Sequence, residues 1–509
     1  MVGVEPRSTR QRGISALVRR LLAGALAALL LVGCTSSSGP DGNQGAAPSA
    51  AAATTTRPPA RANGQLTSEG LREAVTTAAI RRHLDALQAA ADRNGGNRAA
   101  GTEGYEASVT YVADQLRQAG YRPEVQRFDA TTARNRTPPL LEVPGAPDAP
   151  RAQEDFLPFA FSGNGDVAAA TRTVDLAAGA AASTSGCEPA DFAGFPRGTI
   201  AVLQRGTCPF RVKAENAQRA GAAAAVIYDP GQPAVVTGTL GGPGITIPVL
   251  AVTPEVAGEL TGDNAGRQAR VRVDVESQSR PTSNVIAELA GSGDRVVMVG
   301  AHLDSVSAGP GMNDNASGSA TVLELARQLA GTEPAATVRF AWWGGEELGL
   351  LGSRHYLGQL DRPDRDRIAL YLNLDMVASP NVRRLVYDGS ARAAPPGSQV
   401  IQQVLTDYLR GQGLAVGTTS LGGGSDHASF AAAGIPVGGL FTGAGEPKSQ
   451  QDQEAFGGTT GQPADPCYHQ RCDDLGNLDL TVLDQMADAA AHAVVTFAGD
   501  PTPVDRARG

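Results

Sequence analysis

The stretch RVVMVGAHLDS (residues 295–305) decides the fold. Apolar residues run from Val296 to Ala301, and the run ends at once in His302 and Asp304. An apolar run this short, closed by polar residues, reads as a buried strand. The pattern recurs downstream. SGSATVLELARQLAG (317–331) is helix-periodic, TVRFAWW (337–343) is a second apolar strand and IALYLNLDMV (368–377) a third. Strand and helix patterns alternate, which predicts an α/β domain with a mixed central sheet and helices on both faces. In such sheets reactive groups gather at the carboxyl ends of the strands.

Those ends carry chemistry. The first strand ends in His302 and Asp304, the second in Gly344-Gly345-Glu346-Glu347, and the third carries Asp375. Adjacent like charges such as Glu346 and Glu347 repel unless a cation sits near them. Between the first two strands, the loop AGPGMNDNASGSA (308–320) presents Asp314 where a helix begins. His469 lies far downstream between Cys467 and Cys472. Two imidazoles and at least three carboxylates at one sheet edge suit divalent zinc, as two ions rather than one. A plainer reading of Asp314 is a helix N-cap. Of the other histidines, His83 and His492 read as ordinary helical residues and His355 as structural, all three in helix-like contexts.

The rest of the chain frames this core. Arg7, Arg10, Arg12, Arg19 and Arg20 precede an apolar run from Leu21 to Val32 that is too short to span a bilayer. The run ends in Leu31-Val32-Gly33-Cys34, which resembles a bacterial lipobox, so Cys34 is the expected lipid-bearing residue; an ordinary cleaved signal peptide is the alternative. The Ala/Ser/Thr/Gly/Pro-rich stretch after it reads as a tether. The expected organisation is a lipoprotein signal peptide (1–33), a tether (34–65) and a first peptidase segment (66–131). A β-rich α+β insertion (132–279), the main α/β segment (280–499) and a tail (500–509) follow. Apart from Cys34, four cysteines remain, an even number in an exported chain. Proximity pairs Cys187 with Cys208 and Cys467 with Cys472; a zinc cluster around Cys467 and Cys472 is the competing reading. A net charge of -9 argues against nucleic-acid binding.

Taken in order, AHLDS, GMNDNASG, WWGGEELGLLGS, NLDM and CYHQRCDD resemble the two-zinc aminopeptidases of peptidase family M28. The block from Gly186 to Asp229 resembles the protease-associated (PA) domain often inserted in these enzymes. The likeness extends to actinobacterial, mycobacterial-type lipoprotein aminopeptidases, and it implies a zinc-peptidase (phosphorylase/hydrolase-like) fold. It also implies that His302 and Asp375 hold one zinc, that Glu347 and His469 hold the other, and that Asp314 bridges them. Glu346 would be the general base. Asp304 would hydrogen-bond the His302 imidazole, and Tyr468 would donate to the oxyanion. Asp426 and His427 would line the pocket or stand behind the ligands, without binding metal themselves. Gly424 departs from the pattern, because well-studied secreted relatives carry a substrate-binding arginine there. The substrate implied is a peptide or protein N-terminus, met at the extracytoplasmic face of the cell membrane. A carboxypeptidase with the same metals, a non-catalytic receptor-like relative and a single-zinc glutaminyl cyclase are the alternatives. Retention of all the ligands and the base disfavours the last two.

Overall fold

A computed structural model of the chain describes residues 61–62 and 65–509, apart from 153, 177–182, 231–234, 237–238, 263–265, 393 and 423. The signal peptide, Cys34 and nearly all of the tether lie outside the described residues. The last tether residues form a two-residue ladder, Arg61–Ala62 against Gln65–Leu66.

The eight-stranded sheet has the order Gly417–Thr419, Leu385–Tyr387, Val437–Phe441, Ile368–Leu374, Val296–His302, Thr337–Trp343, Val275–Leu289, Glu124–Asn135. The four strands from Val437–Phe441 to Thr337–Trp343 are parallel, and antiparallel pairs flank them on each side. The sheet is therefore mixed, as expected. Period-2 side chains sort its apolar runs onto two faces. Val297, Val299 and Ala301 join Val338, Phe340 and Trp342 in one core with the helices Thr77–Arg93, Glu103–Gln118, Gly318–Leu329 and Leu480–Gly499. Val296 and Met298 join Ala341 and Trp343 in the other, against Tyr356, Leu357 and Phe430. Both faces are covered, which is why these strands read as unbroken apolar runs.

Three helices at the start of the body, Ser68–Ala74, Thr77–Arg93 and Glu103–Gln118, are each capped by a threonine, and Thr67 accepts the Gly70 N–H at 3.1 Å. Thr76 and Thr102 each accept a backbone N–H from the first turn, from Ala79 at 3.2 Å and Tyr105 at 3.3 Å. The presumed tail is not loose. Thr502–Arg508 is a helix, Val504 is fully buried, and Asp505 accepts from Arg295 Nε at 2.9 Å.

The strand Glu124–Asn135 pairs with Val275–Leu289 in one long antiparallel ribbon, from Glu124 opposite Ile286 to Asn135 opposite Val275. The two limits read from sequence fall opposite each other on it, with Thr131 facing Ser279 and Thr132 facing Gln278. The chain thus leaves the large sheet on one strand of the ribbon and returns on the other. Beyond it lies a seven-stranded sheet whose central strands, Ile200–Gln204, Ala224–Tyr228 and Val249–Val252, are parallel. The helix Phe210–Ala220 ends at Gly221, whose φ of 85° suits glycine, before the strand resumes. Cys187 is bonded to Cys208 in this unit. Among the described residues, no helix is long and apolar enough to cross a membrane.

Candidate metal centre

Three parallel neighbours set the floor of the site. His302 is the last residue of its strand and sits opposite Trp343; Asp375 follows Leu374, and Glu346 and Glu347 follow the turn after Trp343. His302 Nε2 lies 3.1 Å from Asp314 Oδ1 and 3.3 Å from Asp375 Oδ1. His469 Nε2 lies 3.1 Å from Asp314 Oδ2 and 3.2 Å from Glu347 Oε2. Two groups result, His302/Asp314/Asp375 and Asp314/Glu347/His469, each with its ligand atoms within 4.8 Å of one another. Asp314 belongs to both, one oxygen toward each imidazole.

Asp314 is not a helix cap. It sits in an irregular turn, Met312–Ser317, with non-helical φ and ψ at Asp314 and Asn315, and a cis peptide joins the two. Its backbone N–H donates to Asp473 Oδ2 at 3.0 Å, and that of Asn313 to Asp473 Oδ1 at 2.8 Å. The Asn313 amide donates to Asp465 Oδ2 at 2.6 Å. Asp465 and Asp473 bracket the Cys467–Cys472 loop, so the loop that carries His469 is tied to the turn that carries Asp314.

His302 Nδ1 donates to the backbone carbonyl of Asp304 at 3.0 Å. The Asp304 carboxylate is 3.8 Å from that nitrogen and accepts instead the backbone N–H of Glu346 at 3.1 Å and of Glu347 at 3.4 Å. This corrects the expected carboxylate–imidazole bond. The chain curls after His302 so that the carbonyl, not the side chain, faces the ring. Asp304 still fixes the His302 tautomer, but through its main chain, while its carboxylate anchors the glutamate turn.

With Nδ1 so committed, Nε2 presents a lone pair to two carboxylate oxygens. Only a proton or a metal ion reconciles such a contact. Glu347 Oε1 is buried and has no hydrogen-bond partner. A mixed nitrogen and carboxylate set with an orphaned carboxylate oxygen fits zinc.

Burial pushes the Glu346 carboxyl well above the ordinary glutamate value; His302 opposes this and Glu347 adds to it. Burial also lifts Asp304 to about 7. Burial would raise Asp314 too, but its hydrogen bonds to His302 and His469 prevail and hold it below the usual range.

Cys467 and Cys472 form a disulfide, so neither is free to ligate zinc and the cluster reading falls. The Tyr468 ring stacks on His469 at 3.8 Å, and burial pushes its hydroxyl well above the usual tyrosine value, so it stays a proton donor. Asp426 and His427 are buried outside both groups. His427 Nε2 is 3.1 Å from the Gly422 carbonyl and its ring packs on Tyr387, while neither Asp426 oxygen makes a hydrogen bond. Gly424 is exposed, and a Cβ there would meet nothing within 4 Å, so space does not demand glycine. The remaining histidines have other partners: His83 contacts Tyr111 and Glu324, His355 stacks on Phe128, and His492 contacts Ser68.

Comparison with known proteins identifies the family. The peptidase family M28 model matches residues 284–494 and the PA domain model residues 172–260. An aminopeptidase of Pseudomonas aeruginosa is 42% identical over 440 residues, 84% of this chain and 81% of that protein. The probable lipoprotein aminopeptidase LpqL of Mycobacterium tuberculosis is 40% identical over 469 residues, 88% of this chain and 92% of that protein. Among solved structures, the aminopeptidase from Aneurinibacillus sp. strain AM-1 superposes with a TM-score of 0.66 at 26% identity, covering 84% of this chain and 95% of that one. A zinc aminopeptidase from Bacillus subtilis gives 0.59 at 25% identity, covering 84% and 98%. The strand-end histidine, the shared aspartate and the inserted β-rich unit therefore have a common explanation: the chain belongs to peptidase family M28 and carries a PA domain.

Proposed function

We propose that this chain is an exported, lipid-anchored zinc aminopeptidase with two metal ions, removing N-terminal residues from peptides. The observation that carries the two-metal reading is Asp314, whose oxygens lie 3.1 Å from His302 Nε2 and 3.1 Å from His469 Nε2. His302 and Asp375 would hold one zinc, Glu347 and His469 the other, with Asp314 between. Zinc ions held there would supply Lewis acidity, acidifying water and polarising a peptide carbonyl. The chain's own residues do the rest. Glu346 accepts the proton of the attacking water and passes it to the leaving amine; a buried carboxyl with a raised pKa is the stronger proton acceptor. Tyr468 keeps its proton and donates to the developing oxyanion. Asp304 fixes the turn that holds Glu346 and Glu347.

The organisation into signal peptide, tether, split peptidase domain, PA insertion and C-terminal helix belongs to the same proposal. Export is supported by the two disulfides. Anchoring through Cys34 is supported by the relative named a lipoprotein. The PA domain would form a rim over the cleft. In support, Thr239 packs so closely on Gly349, just beyond the glutamate pair, that a Cβ on Gly349 would lie 2.7 Å from its methyl.

Amino-acid anilides assayed beside N-blocked peptides, with zinc counted in the same preparation, test the proposal. Turnover of free-amine substrates with two zinc ions per chain is expected. Cleavage of N-blocked peptides alone would assign a carboxypeptidase, and full activity with one zinc would remove the two-metal reading.

A further inference from the structure

Arg98 is wholly buried, and among the described residues no carboxylate lies within ion-pair distance of it. Its guanidinium donates to three main-chain carbonyls instead: Leu303, Pro310 at 2.9 Å and Gly311 at 2.6 Å. Its own backbone joins the same loop, with N–H donating to Ser305 Oγ at 2.9 Å and carbonyl accepting from the Ser305 N–H at 3.2 Å. Leu303 directly follows His302, and Gly311 directly precedes the turn that presents Asp314. The loop has no slack at either glycine. A Cβ at Gly311 would lie 2.3 Å from the Asp314 carbonyl and 3.2 Å from Arg98 Nη2. One at Gly309 would lie 2.2 Å from the Gln470 carbonyl, on the loop that carries His469.

We infer that Arg98 is a positioning residue of the metal centre: one guanidinium fixes the loop between His302 and Asp314, seats it against the His469 loop, and so sets how tightly the site holds metal. The inference rests on the metallopeptidase reading above. A planar fork of donors can span three carbonyls, whereas an ammonium on a flexible stem cannot hold them in one plane. A buried cation is costly unless hydrogen bonds and nearby opposite charge compensate it, and here three carbonyls accept its donors. Here it lies behind Asp304, Asp473 and Asp314, the charges that act on it most. Burial lowers it to about 10, so it is still cationic at neutral pH. It offsets the mutual repulsion of those carboxylates and keeps the ligand cradle formed before metal arrives.

The test uses the full chain with Arg98→Lys, Arg98→Met and, as a gentler change to the same loop, Ser305→Ala. Three quantities are read: zinc affinity by chelator competition, the visible absorption of the cobalt-substituted protein, and kcat and KM separately on an anilide. Loss of a residue that orients metal ligands lowers metal affinity about 10- to 100-fold. Both Arg98 variants are expected to lose zinc affinity in that range, to shift the cobalt bands and to lose kcat with little change in KM. Ser305→Ala should move the same way by less. Wild-type zinc affinity and unshifted bands in the folded variants would overturn the inference whatever their melting temperatures, because a purely structural arginine alters stability alone. If Arg98→Met does not fold, Arg98→Lys and Ser305→Ala decide by the same readings. A wild-type chain that bound no zinc would sink the metallopeptidase reading and this inference together.

Discussion

The Asp304 carboxylate accepts the main-chain N–H of Glu346 at 3.1 Å, while its own carbonyl receives His302 Nδ1 at 3.0 Å. One residue thus orients a proposed ligand with its backbone and the proposed base with its side chain. Asp304→Ala should leave two inward-facing N–H groups without their acceptor and lower kcat about 10- to 100-fold. Asp304→Asn, which keeps one carbonyl oxygen, should fall between. Equal activity in all three proteins would show that the turn holds itself.

The adjacent glutamates should separate by phenotype. Glu346→Gln is expected to lose about 10² to 10⁴ in turnover with zinc content unchanged, the usual weight of general acid–base catalysis. Glu347→Gln should lose metal. Zinc analysis beside steady-state kinetics checks both, and exchanged phenotypes would reverse the assignment.

Stability of the metal-free protein should rise as pH falls from 8 toward 5.5. Burial raises Asp304, Asp426 and Asp473 to about 7, above their unfolded values, so the folded state takes up protons over this window and is stabilised by them. His302 and His469 are also raised, burial being outweighed mainly by nearby carboxylates, and their contribution is likewise lost as pH rises. Asp314 is depressed and contributes nothing adverse until much lower pH; burial lowers His83, His427 and His492, which oppose the trend, but the raised groups outnumber them. Zinc affinity should run the other way, because metal displaces protons. Thermal melts of the chelated protein at the two pH values decide it; a melting point higher at pH 8 would contradict this charge arrangement.

Cys34→Ala should move the protein from the membrane fraction to the soluble fraction, or leave an unprocessed precursor, with zinc content and anilide turnover intact. Membrane association that survives removal of residues 1–65 would point to another binding surface.

The proposed rim makes a differential claim. Enlarging Thr239 should slow long peptides more than a single-residue anilide. Leu240 and Ile245 look from sequence like loop residues suited to the same test, but both are buried in the PA core, so changing them should lower stability instead. Equal effects of Thr239 variants on long and short substrates would favour a rigid spacer.

The strand ends were legible because a buried strand and a reactive terminus are both local: Val296–His302 announces each in seven residues. The shared role suggested for Asp314 rested on motif order, and its two oxygens do lie toward two imidazoles. The supports were not legible. Asp465 and Asp473 act on Asn313 and Asp314 from far along the chain, and only the motif around Cys472 hinted at the second. Arg98 sits in NRAAGT with no periodicity or charge partner to mark it. The Asp304 carbonyl is illegible for a different reason: motifs mark side chains, and here the main chain takes the imidazole. Val504 is illegible because one apolar residue in a short charged terminus carries no period.

The ribbon that links the two sheets has an architectural consequence. Its strands run side by side from Glu124 opposite Ile286 onward, so the two points where the chain crosses between units are neighbours in space. Paired residues such as Asp129 and Pro281 stand about 5 Å apart, the span that a tight hairpin turn closes. The whole intervening unit, disulfide included, is in effect an enlarged hairpin loop. Its length is free to vary without disturbing the order of the large sheet. A chain with a short turn in its place would keep every proposed zinc ligand, and a chain with a different domain there would keep the same proposed metal centre.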